Sequence, residues 1–215
     1  MLIGTGHKRF ERKKFEILAA ARAIFLREGY PDTGMEGVAR AAGVSTATLY
    51  AYFPSKAELF RVVLLDAAGG LDGAVDHGVR VEGDARSRLL ALTVAYAALL
   101  TRPETRAIFR LVTAERRRFG DVAEHVLRRA RDKLGAAAIT VLDDLRDRGE
   151  LEIEKTSGAA GQLLGMLDHA TLLLGLIAGD DAQPARPLDH ICADAVDTFL
   201  ARYGRPPAAV AALTA

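Results

Sequence analysis

Between Thr33 and Glu58 the chain writes three helix starts into one short run, TGMEGVARAAGVSTATLYAYFPSKAE. No other stretch restricts the fold as strongly. Thr33 is followed three residues later by Glu36. That is the capping-box pattern, in which the threonine hydroxyl accepts from the N3 amide and the glutamate reaches back to the cap amide. The spacing predicts a short helix over Met35 to Ala42, with Met35, Val38, Ala39 and Ala42 on one face. Gly43 stands where a left-handed residue closes a helix. Ser45 then caps a second helix, Thr46 to Phe53. Pro54 stops it, because the residue before a proline is pushed out of the helical region. Ser55 and Glu58 repeat the capping pattern and open a third helix.

Two short helices joined through Gly43-Val44-Ser45 make a helix-turn-helix. Val44, Leu49 and Phe53 form the buried side of the second helix. Its first turn presents Thr46, Ala47 and Thr48, the part that meets base edges in DNA-binding versions of the motif. Tyr50, Tyr52 and Ser45 are placed to reach phosphate oxygens. Lys56 opens the next helix, where an ammonium and free amides together suit a phosphate. The bland alternative is a bundle whose helix-turn-helix binds nothing.

The run Ala42-Gly43-Val44-Ser45, followed by Thr48-Leu49-Tyr50, Tyr52-Phe53 and Lys56, closely resembles the TetR family of transcriptional regulators. Upstream, Ile17-Leu18, Ala21, Phe25, Gly29-Tyr30 and Thr33 match the family's first helix and its exit. The resemblance covers about residues 10 to 60. One position departs: Gly34 stands where the family usually carries Thr or Ser. The resemblance implies an N-terminal three-helix DNA-binding domain and a C-terminal helical bundle that binds an effector and dimerises. In such a family the last two long helices of each subunit form a four-helix dimer interface.

Composition agrees with an all-α chain. Half of the residues are hydrophobic and only 6% aromatic, with Ala and Leu prominent and strand-like alternation scarce. The net charge of +1 excludes a polybasic binder. Residues 1–60 nevertheless hold nine Lys/Arg against six Asp/Glu, and the remainder twenty against twenty-two. A basic front on a mildly acidic rear suits a DNA module on a regulatory body. A single cysteine, Cys192, rules out an internal disulfide and points to a reducing cytoplasm. It reads as a small packed residue, with a redox sensor as the alternative. Met1-Leu2-Ile3 gives way at once to polar residues, so a secretory signal is not expected.

The expected organisation is a flexible basic arm over residues 1–9, the DNA-binding domain over 10–55, a linking helix and loop over 56–83, the body over 84–204 and a disordered tail over 205–215. In the arm, His7, Lys8 and Arg9 could touch phosphate. The first helix runs from Phe10 to Glu28, with Ile17, Leu18, Ala21, Ile24 and Phe25 inward. Gly69-Gly70 marks either a soft point in the linking helix or its plain end. Asp84 caps a helix over Ala85 to Leu100, and Pro103 opens one to about Phe119. Asp121 and Glu124 restart a long helix that runs to about Arg148. Arg116-Arg117-Arg118 reads as a solvated face.

Residues 158–178 are nearly all apolar and long enough to cross a membrane. Asp168-His169 at the centre argues against that, so a helix buried among others is expected, with no membrane partner. Gly161 and Gly165 would let another helix approach closely. Along the last helix, Leu188, Ile191, Cys192, Ala195 and Phe199 form a stripe read as the dimer interface. The effector pocket is expected near Tyr96, Phe109, Arg110, Thr113, Met166 and His169, with aliphatic walls suited to a hydrophobic molecule. Arg110 reads equally well as a core ion-pair partner.

No catalytic constellation, metal site or cofactor loop emerges. Asp168-His169 and Asp189-His190 are adjacent pairs whose side chains diverge on a helix. His190 and Asp194, four apart, read as a surface ion pair rather than a metal clip. The expected function is a homodimeric repressor of a palindromic operator, released by a small hydrophobic effector. The alternatives are control by a protein partner without a small molecule, and a helical-bundle enzyme.

Overall fold

The computed structural model describes residues 4–70, 73 and 75–205. Among the described residues all regular structure is helical, apart from one isolated antiparallel bridge between Leu151 and Gly204. The contacts divide the chain into two compact units. One comprises residues 1–69 and 107–127, the other residues 70–106 and 128–215.

The first unit begins with α1 (Gly4–Asp32). The chain is therefore already helical from Gly4, where an arm was expected; residues 1–3 lie outside the described residues. Gly29 (φ 82°, ψ 174°) interrupts the helix where Glu28 was expected to end it. The Thr33 hydroxyl donates to the Gly29 carbonyl at 2.6 Å and is buried. Thr33 thus closes the helix behind it and does not cap the one ahead. The cap position of α2 (Met35–Ala41) is Gly34, which offers no side chain. α2 ends as a Schellman motif. Gly43 has φ 64°, its amide bonds to Arg40 O at 3.2 Å, and the Val44 amide bonds to Ala39 O at 3.0 Å. In α3 (Thr46–Tyr52), Ser45 Oγ accepts from the Thr48 amide at 3.1 Å, and Phe53 is extended before Pro54. Ser55 Oγ accepts from the Glu58 amide at 3.1 Å and opens α4 (Lys56–Gly69).

Ile17, Ala21, Phe25, Leu49, Phe53, Leu59 and Phe60 fill the core of this unit. Leu111 of α7 (Pro103–Glu115), Phe119, and Val122 and Val126 of α8 (Gly120–Ala130) complete it. Tyr30, Phe60 and Phe119 form an aromatic box with centroids 4.8, 4.9 and 5.1 Å apart. Residues 107–127 therefore cluster with the N-terminal helices, although in sequence they sit inside the block expected to form the body. α7 stops at Glu115, short of Phe119, because Phe119 turns into this box. α8 starts at Gly120, one residue ahead of the expected cap. Asp121 lies inside its first turn, with its carboxylate paired to Arg61.

The second unit is built around α6 (Ala85–Leu100). It packs against α5 (Asp76–Val79), α9 (Ala136–Asp147), α10 (Thr156–Asp168) and α12 (Leu188–Tyr203). Asp84 caps α6 as expected: its carboxylate accepts from the Ser87 amide at 2.9 Å, and the Ser87 hydrogen bonds hold it below the usual carboxylate value. Gly78 lets α5 lie against α6, since a Cβ there would sit 2.8 Å from the Ala91 carbonyl oxygen. The long helix expected from Asp121 to Arg148 is not unbroken, because Arg131–Gly135 form a π turn. A second π turn, His169–Leu173, joins α10 to α11 (Leu174–Ala178).

The run Thr156–Ala178 is long and apolar enough to cross a membrane by length and composition, with a mean hydropathy of 1.4, and it is only one-third buried. The expectation of a helix buried all round is therefore corrected. Ala159, Ala160, Leu163, Leu164, Leu167 and Thr171 face inward, whereas Met166, Leu173, Leu174 and Ile177 are exposed. A Cβ built on Gly161 or Gly165 meets nothing within 4 Å, so among the described residues no helix uses their small size.

Candidate nucleic-acid interface

The recognition helix α3 is held from three sides. Ser45 caps it, Leu49 and Phe53 anchor it in the core, and Gly43 sets the turn that delivers it. Thr46 and Ala47 are exposed at its first turn, and Tyr50 is 49% exposed one turn later. These three are free to meet a ligand. Thr48 is half-buried and its hydroxyl shares a 2.8 Å hydrogen bond with Ser45 Oγ. The Ser45 and Thr48 hydroxyls thus shape the helix start before they touch anything else. Tyr52 is half-buried and stacks on Phe10 of α1, with centroids 4.5 Å apart.

Lys56 is placed differently from the free phosphate contact expected. Its ammonium donates to Thr33 O at 2.7 Å and to Pro31 O at 2.9 Å, and lies 4.6 Å from the Tyr30 ring centroid. Two of its three donors are spent on the exit of α1, whose last carbonyls would otherwise lack partners. Lys56 therefore fixes the α1–α2 corner, with one N–H left over. Lys8 and Arg9 are exposed on α1, and the side chain of His7 lies outside the described residues.

The residues expected around an effector separate. Phe109, Arg110 and Thr113 belong to the first unit, and Tyr96, Met166 and His169 to the second. Arg110 donates to the Leu26 carbonyl at 3.1 Å, and Thr113 is exposed. In the second unit Tyr96 is buried, and its hydroxyl donates to Asp168 Oδ1 at 2.8 Å. Burial, and then the neighbouring Asp168 charge, push the Tyr96 phenol well above its usual range. His169 is exposed at the start of the π turn. Met166 lines a surface hollow of about 330 Å³ together with Ala170, Leu174, Ile191, Ala195 and Thr198.

The stripe expected at the dimer interface also divides. Cys192, Ala195 and Phe199 are buried within the chain, so little of their surface is left for a partner. α12 turns that side towards α6, against which it packs. Leu188 and Ile191 remain half-exposed. Burial pushes the Cys192 thiol up to about 11, which fits a packed residue rather than a sensor.

A family model described as bacterial regulatory proteins of the tetR family matches residues 17–63. A second, described as the C-terminal domain of AefR-like transcriptional repressors, matches residues 87–205. The two matches fall on the capped recognition helix and on the helical body. The chain belongs to the TetR family. The family models that it matches are those of transcriptional regulators.

Among TetR relatives, the HTH-type transcriptional activator FasR of Mycolicibacterium smegmatis is 36% identical over 86 residues, covering 40% of this chain and 39% of that protein. The HTH-type transcriptional repressor KstR of the same organism is 36% identical over 87 residues, covering 40% of this chain and 42% of that protein. These matches span about two-fifths of the relatives' own length. A crystal structure of a TetR-family regulator from Mesorhizobium loti superimposes with a TM-score of 0.80 at 27% identity, covering 91% of this chain and 98% of that one.

Sequence reasoning missed one residue of this TetR body altogether. Arg106 is 1% exposed, and its guanidinium donates to four backbone carbonyls. These are Leu100 O at 3.2 Å, Asp180 O at 3.0 Å, Thr171 O at 2.6 Å, and Ala182 O. It bolts the end of α6, the second π turn and the loop before α12 together. Gly175 makes room, since a Cβ there would lie 2.2 Å from Arg106 Nε. The available signal was an arginine between Thr105 and Ala107 on the apolar side of α7, but nothing local named its partners.

Proposed function

We propose that this TetR-family regulator acts as a homodimeric repressor of a palindromic operator and is released by a small hydrophobic effector. The observation that carries the reading is the exposed first turn of α3. Thr46 and Ala47 stand free on a helix that Ser45, Leu49 and Gly43 lock in place. A rigid helix with a bare first turn fits the major groove. Thr46, Ala47 and the methyl of Thr48 would read bases. Tyr50 would hold phosphate, with Ser45, Tyr52 and Lys56 positioning the helix and adding backbone contacts. With no arginine fork, discrimination is about 1 kcal/mol per contact.

A second copy is supported by the outward apolar face of α10 and α11. Gly161 and Gly165 open that face to close approach, and Met166, Leu173, Leu174 and Ile177 supply the apolar area. With Leu188 and Ile191, they replace the buried stripe as the proposed interface. Effector binding is supported by the Tyr96–Asp168 pair, a buried phenol bonded to a half-buried carboxylate that directly precedes a π turn. Such turns recur at functional sites. A ligand that prefers a body with badly spaced recognition helices lowers DNA affinity by the same coupling factor. The relatives include an activator and a repressor, so the sign of control rests on the reporter assay below.

The test is selection of bound sequences from random DNA with wild type and Tyr50→Ala. A palindrome enriched by wild type and lost in the variant supports the reading. An enriched asymmetric site removes the dimer. The recovered operator, placed before a reporter gene, then separates repression from activation.

A further inference from the structure

We propose that Arg116, Arg117 and Arg118 form a second phosphate-binding ridge for duplex DNA, separate from the recognition helix. The proposal rests on the reading of the chain as a duplex-DNA binder and adds a surface that the helix-turn-helix does not contain. The three arginines occupy the turn between α7 and α8, and all are exposed. Their turn is rigid: the Arg118 and Phe119 amides bond to Glu115 O at 2.9 and 3.0 Å. Phe119 then plugs the aromatic box beside Tyr30 and Phe60. A segment far along the chain thereby carries three consecutive cations into the compact unit that holds the recognition helix.

The charges are poorly neutralised there. Neither Arg116 nor Arg117 has a hydrogen bond or ion pair among the described residues. Arg118 lies 4.7 Å from the Tyr30 ring centroid, and the Lys56 ammonium lies 4.6 Å from the same centroid. Two cations thus crowd one buried phenol ring. Asp121 is paired to Arg61, and Glu115 directly precedes the three arginines in sequence. Cations gathered without matching anions repel one another in the free protein. A polyanion removes that repulsion and releases its own counterions as it binds. Lys56 stands at the head of α4, which follows the recognition helix in the chain, so Arg118 shares the Tyr30 ring with a residue of that helix's flank. Arginine on a fixed turn also suits phosphate geometry better than a flexible lysine.

The test compares wild type with the double variant Arg116→Gln/Arg117→Gln. Binding to the selected operator and to a mixed-sequence duplex of about 30 base pairs is followed by fluorescence anisotropy across a salt series. Each lost phosphate contact lowers the slope of log affinity against log salt by about 0.9. The expected result is a slope smaller by about 1.8 per bound protomer and, from that slope, roughly 60-fold weaker binding per protomer near 0.1 M salt, on both duplexes alike. The operator-to-mixed ratio and the melting midpoint stay unchanged. Arg116→Lys/Arg117→Lys keeps most of the slope. An unaltered slope in the Gln variant, with wild type binding both duplexes, overturns the ridge alone. A lowered melting midpoint, or a changed operator preference, makes the turn structural and also overturns it. Wild type with no salt-dependent affinity for either duplex overturns the DNA-binding reading itself.

Discussion

Single residues in this chain act through what their polar atoms are tied to. Gly175 and Arg106 are tightly paired, because a methyl group at 175 would overlap the buried guanidinium. Gly175→Ala should cost about 2–3 kcal/mol of stability, at the upper end of overpacking penalties, measured by urea unfolding. Cys192 is buried with its thiol pushed up to about 11. It should remain unreactive towards a thiol reagent at about pH 8 in the native protein and react only on unfolding. Asp84, Asp121 and Asp144 all lie below the usual 3.8, through hydrogen bonds from Ser87, Arg61 and Arg88 respectively. Folded values below the unfolded ones make their contribution complete above that pH, and it is lost as pH falls through the folded values. The melting midpoint should therefore drop with acid below about pH 4, and less steeply in Asp144→Asn than in wild type.

At the scale of elements, what is local in sequence was legible. Ser45 and Asp84 cap the helices expected of them, because a cap needs only the amide three residues on. Gly43 closes α2 for the same reason, and Gly43→Ala should cost about 1 kcal/mol through its positive φ. Ser45→Ala should cost a similar amount of stability. It should also weaken operator binding more than that loss alone explains, because it frees the first turn of α3; gel-shift titration beside thermal melts separates the two. Thr33 was misread because the carbonyl of Gly29, behind it, competes successfully for its hydroxyl. The Cys192–Phe199 stripe was legible as apolar but not as facing α6, since periodicity names a buried face and never its partner. Arg106, Lys56 and Phe119 draw their partners from distant positions, and no spacing rule reaches those.

For the whole molecule the prediction concerns assembly. The face of α10 and α11 leaves Leu173, Leu174 and Ile177 exposed, and an apolar patch of that kind on a water-facing surface calls for a cover. Replacing Gly165 by Leu, or Ile177 by Lys, should shift the mass measured by light scattering from dimer to monomer, while the helical content stays that of wild type. Palindrome binding should weaken in step, because two half-sites need two linked recognition helices. A dimer of unchanged mass in both variants would remove this face from the assembly.

The aromatic box of Tyr30, Phe60 and Phe119 bears on how such a gene can be cut and recombined. A break after Gly69 looks like a natural seam, yet it strips one wall from the box and leaves two rings facing water. Losing a buried Phe costs about 3–5 kcal/mol, a large part of a small unit's total stability. A graft that moves residues 1–69 onto a foreign body without residues 107–127 should yield a reader that melts early. Carrying both segments, or supplying an aromatic from the new host at the place of Phe119, should restore it. Exchange of specificities among such chains is then constrained to pieces that keep this one ring in place.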